Sequence, residues 1–357
     1  MKINKLNLFA SLLALLLLGY QCQKEELSNM EEESKVENSG HAKAASASSF
    51  KGVNWSDKDD NYENQNIIPS GINVNDSWST MRSTAQNLYQ ELKDKGSVNT
   101  IRVGINPKMV YDASKSNKES DYFSRWIGIV QAANDKNMKI IIANWERPAE
   151  KNGKIDNQFW EMWDVVINRY KNNGSVYFEI MNEPYGYNKN QLRNLCADWV
   201  NKYTNSPYNV PKGRILVPGR GYSAYVKEIA SDSRFNGCLF SQHIYAWWAG
   251  KPKTESGWKN ALKSRIGNNY KSRTIVTEWG APMAPGIQYD WNSSGRYPNH
   301  EAAFMIGVPN QINDWNMGSV YWPGIRDGDN FRMFDRNGTT LTVRNWDGHR
   351  QMTWSYK

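Results

Sequence analysis

The chain has 357 residues, 39% hydrophobic and 22% charged, with a formal net charge of +8, which is enough for one large domain or two ordinary ones. Lys and Arg are scattered singly or in pairs among Asp and Asn, with no run of five and no one-sided basic helix; this argues against nucleic acid and anionic lipid and leaves an anionic polysaccharide open. Sixteen Trp and nineteen Tyr exceed ordinary usage, and such rigid amphipathic rings suit the apolar faces of sugars, although core filling is the plainer role for any one Trp.

The first 22 residues, MKINKLNLFASLLALLLLGYQC, have a basic start, an apolar stretch from 8 to 18 and then Cys22. The stretch is too short to span a bilayer and reads as an export signal. Its end resembles a bacterial lipoprotein signal, with Cys22 acylated as the only membrane attachment; simple secretion is the alternative, because Tyr20 and Gln21 are larger than the residues usual there. Residues 23–49 are acidic and then Ser/Ala-rich without periodic apolar positions, as expected of a tether. Cys196 and Cys238 are too few for a disulfide framework, and the sequence does not say whether they pair. His41, His243, His300 and His349 form no HExxH, and CxxC is absent, which argues against a zinc site; the chemistry that the strand ends suggest calls for neither a metal nor an organic cofactor.

From Phe50 onward, eight short β-branched or aromatic runs alternate with amphipathic segments. They are FKGVNW (50–55), VNTIRVGI (98–105), MKIIIANW (138–145), VYFEIMNEP (176–184), ILVPGRG (215–221), CLFSQHIY (238–245), TIVTEWGA (274–281) and GSVYWPG (318–324). Segments such as DYFSRWIGIVQAANDKN and FWEMWDVVINRYKNN carry apolar residues at helical spacing. Eight strand-then-helix units predict a (β/α)8 TIM barrel, one catalytic domain over 50–357. An open doubly wound sheet would want a Gly-rich turn after the first strand, and GVNWSDKDD is not one. After the last strand the helical pattern is weak, so a short eighth helix or a terminal hairpin is expected there.

In such a barrel the site lies at the C-terminal ends of the strands. The fourth run closes on Asn182 and Glu183, the seventh on Thr277, Glu278 and Trp279, and these strands lie on opposite arcs of the ring. Two carboxyls facing across a mouth are the equipment of glycoside hydrolysis, one protonated to donate to the leaving oxygen and one ionised to attack. His243 and Tyr245, two apart on the sixth run, point to one side. Tyr245 and Arg102 are placed to donate to Glu278 and keep it ionised. Asn182 offers an amide to a sugar hydroxyl, and Trp322 offers a floor for the ring. Glu179, inside the fourth strand, reads as a partner for a buried Arg.

GVNW, NTIRVGI, WDVVINRYKNNGSVYFEIMNEP, SQHIY, IVTEWG and the Trp of VYWPG, in this order over roughly 50–325, resemble glycoside hydrolase family 5. The resemblance implies a retaining barrel glycosidase with Glu183 as acid/base, Glu278 as nucleophile, and Arg102, Asn182, His243, Tyr245 and Trp322 supporting them. One departure is that the family's usual His closing strand three is replaced by Asn144, Trp145 and Glu146, which alters a contact to the sugar nearest the cut. Asn144, Trp145, Trp247 and Trp248 follow strand ends as substrate contacts. Arg326 and Arg332 in the loop after strand eight read as solvating a turn, with an acidic substituent as the alternative; Asp327 and Asp329 lack the longer pattern of a calcium loop. The expected activity is endo cleavage of a β-1,4-glucan or mannan by a monomer. An exo-acting glycosidase such as an arabinofuranosidase, an enzyme on an anionic algal glycan, or a non-catalytic surface carbohydrate-binding protein are the alternatives.

Overall fold

A computed structural model describes residues 46–59, 65–146, 155–248 and 250–357. The expected export signal and most of the expected tether lie outside the described residues. The tether's last residues do not behave as one: Ala47–Ser49 form a 3-10 turn, and Ala47 is buried.

Among the described residues, eight parallel strands close into a ring: β1 (Lys51–Trp55), β2 (Thr100–Ile105), β3 (Lys139–Asn144), β4 (Val176–Glu179), β5 (Ile215–Pro218), β6 (Leu239–Tyr245), β7 (Thr274–Gly280) and β8 (Gly318–Ile325). This is the (β/α)8 barrel that the alternation predicts. Two strands, β4 and β5, stop well short of the C-terminal ends of their runs. Pro218 has no N–H for the ladder, and β5 ends on it. Beyond Glu179 the fourth strand leaves regular pairing, with Ile180 N–H donating to Leu216 O and Asn182 N–H to Asn144 O.

The helices are α1 (Trp78–Gly96), α2 (Pro107–Val110), α3 (Asp121–Asp135), α4 (Asn157–Tyr170), α5 (Lys189–Thr204), α6 (Val226–Ala230), α7 (Glu255–Ile266), α8 (His300–Asp314) and α9 (Trp346–Trp354). Ser77, Ser120, Asp156, Thr254, Asn299 and Asn345 cap α1, α3, α4, α7, α8 and α9 through their side-chain oxygens, and Asn188 with Gln191 forms a capping box on α5. Each such cap contributes about 1 kcal/mol. Inward faces are strongly aromatic: Trp163 of α4 meets Phe178 of β4 edge-on and also Trp199 of α5.

After β8 the chain makes both a hairpin, β9 (Phe334–Asn337) with β10 (Thr340–Val343), and α9. α9 forms despite its weak pattern because Asn345 caps it and Met352 and Gln351 are buried; Tyr356 beyond it donates to Gly52 O at 2.6 Å.

The barrel interior is layered. Its N-terminal end is filled by Ile141, Tyr177, Leu216, Leu239, Ile275 and Val320, closed by Phe50 and Ala47. The charged network of Arg102, Glu179 and Glu278 sits toward the other end, where the strands finish. Cys196 and Cys238 are buried free thiols, and burial pushes the Cys238 thiol up to about 11.

Candidate active site

Arg102 is the organising cation of the upper interior. Its Nε and Nη2 donate to Glu179 (2.6 and 2.9 Å), Nη1 donates to Glu278 (2.7 Å) and Asn54 (2.8 Å), and Nη2 also donates to Asn182 (2.6 Å). The guanidinium thus ties β1, β2, β7 and the end of the fourth strand together in one plane, which the fork geometry of arginine permits and a lysine ammonium does not. Glu179 also accepts from Ser241 Oγ at 2.6 Å. It is the buried partner that its mid-strand position predicts.

Alternation along β7 sends Ile275 and Thr277 inward and would send Glu278 out. A bulge corrects this. Gln242 of β6 pairs with Val276 but His243 pairs with Glu278, so Thr277 is the extra residue. The bulge re-aims the next side chain into the mouth, a common device beside active sites. Thr277 stays inward on Ser241, and its carbonyl accepts from Asn54 Nδ2 at 3.0 Å.

Four groups then converge. Tyr245 Oη donates to Glu278 Oε2 at 2.9 Å, while His243 Nδ1 lies 3.0 Å from Glu183 Oε1 and 3.5 Å from Glu278 Oε2. Carboxylate oxygens of Glu183 and Glu278 and a nitrogen of His243 all lie within 4.8 Å of one another. Such closeness falls well short of the roughly 6.5–9.5 Å separation of inverting glycosidases and agrees with the roughly 5–5.5 Å of retaining ones.

The surroundings of the two carboxyls differ. Burial raises the Glu183 carboxyl above its ordinary value, and the negative charge of Glu278 adds to this against the pull of the His243 hydrogen bond. Glu278 instead receives one donor on each oxygen, from Arg102 and Tyr245. Burial opposes charge on Glu179 too, yet Arg102 and His243 bring it down to about 2. His243 is raised to about 9: burial works against its charge, but Glu278 and hydrogen bonding with Glu179 and Glu183 outweigh it. Burial and the charge of Glu278 raise the Tyr245 phenol, so it remains a donor. Glu183, His243 and Glu278 are spaced as a cation would require. Arg102 already supplies the positive charge there, and an imidazole that favours its protonated form is a poor ligand.

The rim residues are placed unequally. Asn182 faces Arg102 through Oδ1. Asn144 accepts from Glu146 N–H at 3.0 Å, and its Nδ2 is buried without a partner among the described residues. Trp145 is 8% exposed and Trp322 7%, with ring centroids 5.3 Å apart. Trp145 lies so close over Gly104 that a Cβ there would stand 2.5 Å from its Cδ1. Trp247 stacks on Tyr245 at 4.5 Å and keeps an exposed edge. Arg326 pairs with Asp329, Arg332 with Asp335 and Asp327 with Arg336, so this loop's charges are engaged with one another.

Four contributors escape sequence reasoning. Asn54 lies within the GVNW motif, where strand parity would have pointed to it. Ser223 donates to Asn182 O at 2.6 Å, and Tyr185 and Tyr222 stand together at the rim with centroids 5.2 Å apart; no local pattern marks these three.

A closed (β/α)8 barrel with two carboxyls facing each other from the ends of its fourth and seventh strands has the architecture of the barrel glycoside hydrolases. The chain belongs to glycosyl hydrolase family 5: that family's model, described as cellulase, matches residues 59–322. It is 25% identical to the cellulase CelDZ1 of Thermoanaerobacterium sp. over 167 residues, 42% of each chain. It is 28% identical to an endoglucanase of Clostridium saccharobutylicum over 215 residues, 55% of this chain and 41% of that protein. The chain thus spans about two fifths of the length of these relatives. Among solved structures, a family 5 xyloglucanase from Paenibacillus pabuli superposes with a TM-score of 0.60 at 16% identity, covering 87% of this chain and 99% of that one. An endo-β-1,4-glucanase from Xanthomonas axonopodis pv. citri gives 0.58 at 15% identity, covering 85% and 98%. At such identities these two establish the fold.

Proposed function

We propose that the protein is a retaining endo-β-1,4-glucanase acting by double displacement. The observation that carries this reading is the short gap between Glu183 and Glu278, together with surroundings that raise the Glu183 carboxyl and set a hydrogen-bond donor on each oxygen of Glu278. The names of the matching relatives, cellulase and endoglucanase, favour glucan over mannan.

In the first step Glu278 attacks the anomeric carbon while Glu183 gives its proton to the departing oxygen. Arg102 and Tyr245 hold the attacking carboxylate in place, so little reorganisation is needed as its charge passes to the new ester. Esterification removes the negative charge that helped raise Glu183. Glu183 then holds a proton less tightly, which suits its second role of taking one from water as that water attacks the glycosyl ester. Trp322 and Asn182 contact the sugar being transferred.

Replacing Glu278 by Ala is expected to abolish hydrolysis of soluble cellulose derivatives while leaving binding, measured by affinity electrophoresis, largely intact. Unchanged turnover would falsify the assignment. We further propose export through residues 1–22, with Cys22 acylated, and a monomeric enzyme. Mass spectrometry of the mature N-terminus and light scattering test these two points, a non-acylated N-terminus or a dimer contradicting them.

A further inference from the structure

We propose that Trp291 and Trp346 form a second glucan-binding surface on the outer flank of the barrel, away from the cleft, which holds a polymer chain while another stretch of it is cut. This inference rests on the hydrolase reading above. Trp291 is 66% exposed and Trp346 70%, the highest values of any large hydrophobic side chain among the described residues. An indole covered on both faces could not reach such values, so each ring keeps a face in water. A lone exposed apolar side chain is ordinary on a protein surface, but here two indoles share one patch.

One guanidinium brings them together. Arg350 Nη2 donates at 2.7 Å to Asp290, next to Trp291, and at 2.7 Å to Asp347, next to Trp346. The loop after β7 is also fastened to α9 through its carbonyls: Asn345 Nδ2 donates to Ala284 O and Ile287 O, and Gln351 Nε2 to Tyr289 O. Trp346 itself opens α9 behind the Asn345 cap. Both rings are thus carried on backbone that is already ordered, and little entropy is lost when a ligand lies on them.

The patch stands at the same end of the barrel as the cleft. Tyr356, just past the far end of α9, bonds to Gly52 near the start of β1, so Trp346 lies toward the end where the strands finish. The loop after β7 leaves from that end too. α9 lies outside the ring of strands, and a chain long enough can occupy both places at once.

Charge selects the occupant. Asp290 and Asp347 share one guanidinium, so the trio is net negative on a chain whose overall charge is +8. Such a patch disfavours anionic glycans and anionic lipid and suits a neutral polymer. The Asp290 carboxylate is largely exposed and accepts hydroxyl hydrogens, while the open indole faces match the apolar faces of glucose units. A second contact on a chain already held in the cleft multiplies the overall affinity.

The test separates long from short substrates. Cellotetraose and 2,4-dinitrophenyl β-cellobioside reach only the cleft, whereas swollen cellulose reaches both places. Trp291→Ala and Trp346→Ala are each expected to lower partition onto swollen cellulose about tenfold, about 1.4 kcal/mol, with kcat/KM on both short substrates unchanged. Trp346→Tyr is expected to recover the binding, because a ring face is retained. Partition within about twofold of the parent in either alanine variant, a parallel fall on the short substrates, or a loss that Trp346→Tyr leaves unrepaired overturns the second surface. A parent that cuts cellotetraose but does not bind swollen cellulose overturns it too, as does a parent dimer that the alanine variants dissociate, which assigns the patch to a second copy. All of these leave the hydrolase reading intact. A parent that cleaves neither short substrate overturns both.

Discussion

Replacing Glu179 by Gln keeps the shape of the side chain and removes its charge, so it measures what the buried pair with Arg102 contributes. Both side chains are buried, joined by bonds of 2.6 and 2.9 Å, and the carboxyl is drawn to about 2 although burial alone would raise it. A folded carboxyl at about 2 against about 4.5 in the unfolded chain corresponds to about 3 kcal/mol, at about 1.4 kcal/mol per tenfold. Because the folded value is depressed, this stabilisation is fully present above about pH 4.5 and is lost as pH falls toward 2; about 1 kcal/mol remains at pH 3. Urea unfolding of parent and Glu179→Gln, followed by Trp fluorescence, is therefore expected to show a gap of about 3 kcal/mol at pH 7 that shrinks to about 1 at pH 3. The pH 7 figure lies at the lower edge of the roughly 3–5 kcal/mol typical of breaking a buried ion pair. A gap of equal size at both pH values, or one below about 1 kcal/mol at pH 7, refutes the reasoning.

Three further outcomes follow from the site. Tyr245→Phe deletes the 2.9 Å bond to Glu278; a hydrogen bond to a charged group is worth about 1.5–3 kcal/mol, so kcat/KM on an aryl cellobioside is expected to fall about 10- to 150-fold, and a fall under about threefold contradicts the role. The raised Glu183 carboxyl places the basic limb of kcat/KM above the range of an ordinary glutamic acid, since activity is lost as that proton leaves; Glu183→Gln should release a burst of dinitrophenol and then turn over slowly, and a steady rate without a burst argues for another base. Gly104→Ala sets a Cβ 2.5 Å from Trp145 Cδ1 and is expected to destabilise by about 1–3 kcal/mol and weaken substrate binding, with unfolding midpoint and KM unchanged if Trp145 does not bear on the site.

The barrel was legible in the sequence because each buried parallel strand is a short apolar run and most of the longer helices between them carry an apolar stripe and a capping side chain. The two carboxyls were legible because barrel chemistry sits at strand ends, and Glu183 and Glu278 close their runs. Other features depend on contacts that no local pattern records. Thr277 reads as an ordinary strand residue, yet the bulge at it turns Glu278 inward. Ala47 belongs to a Ser/Ala-rich stretch, but its small side chain fits beneath the barrel floor. α9 is carried by its cap and by docking on the barrel, not by its own periodicity. Tyr185 and Tyr222 come from different loops, and the left-handed turn that joins them to the fourth strand's end uses Tyr and Ser where propensity would ask for glycine or asparagine.

Trapping the covalent intermediate tests the central claim most directly. With 2,4-dinitrophenyl 2-deoxy-2-fluoro-β-cellobioside, the fluorine slows both displacements while the good leaving group preserves the first, so the ester accumulates. Intact mass should rise by one fluorocellobiosyl group, and peptide mapping should place it on Glu278, within the strand Thr274–Gly280. A label on Glu183 or Glu179, or an enzyme that turns over cellotetraose yet never acquires the label, contradicts the account.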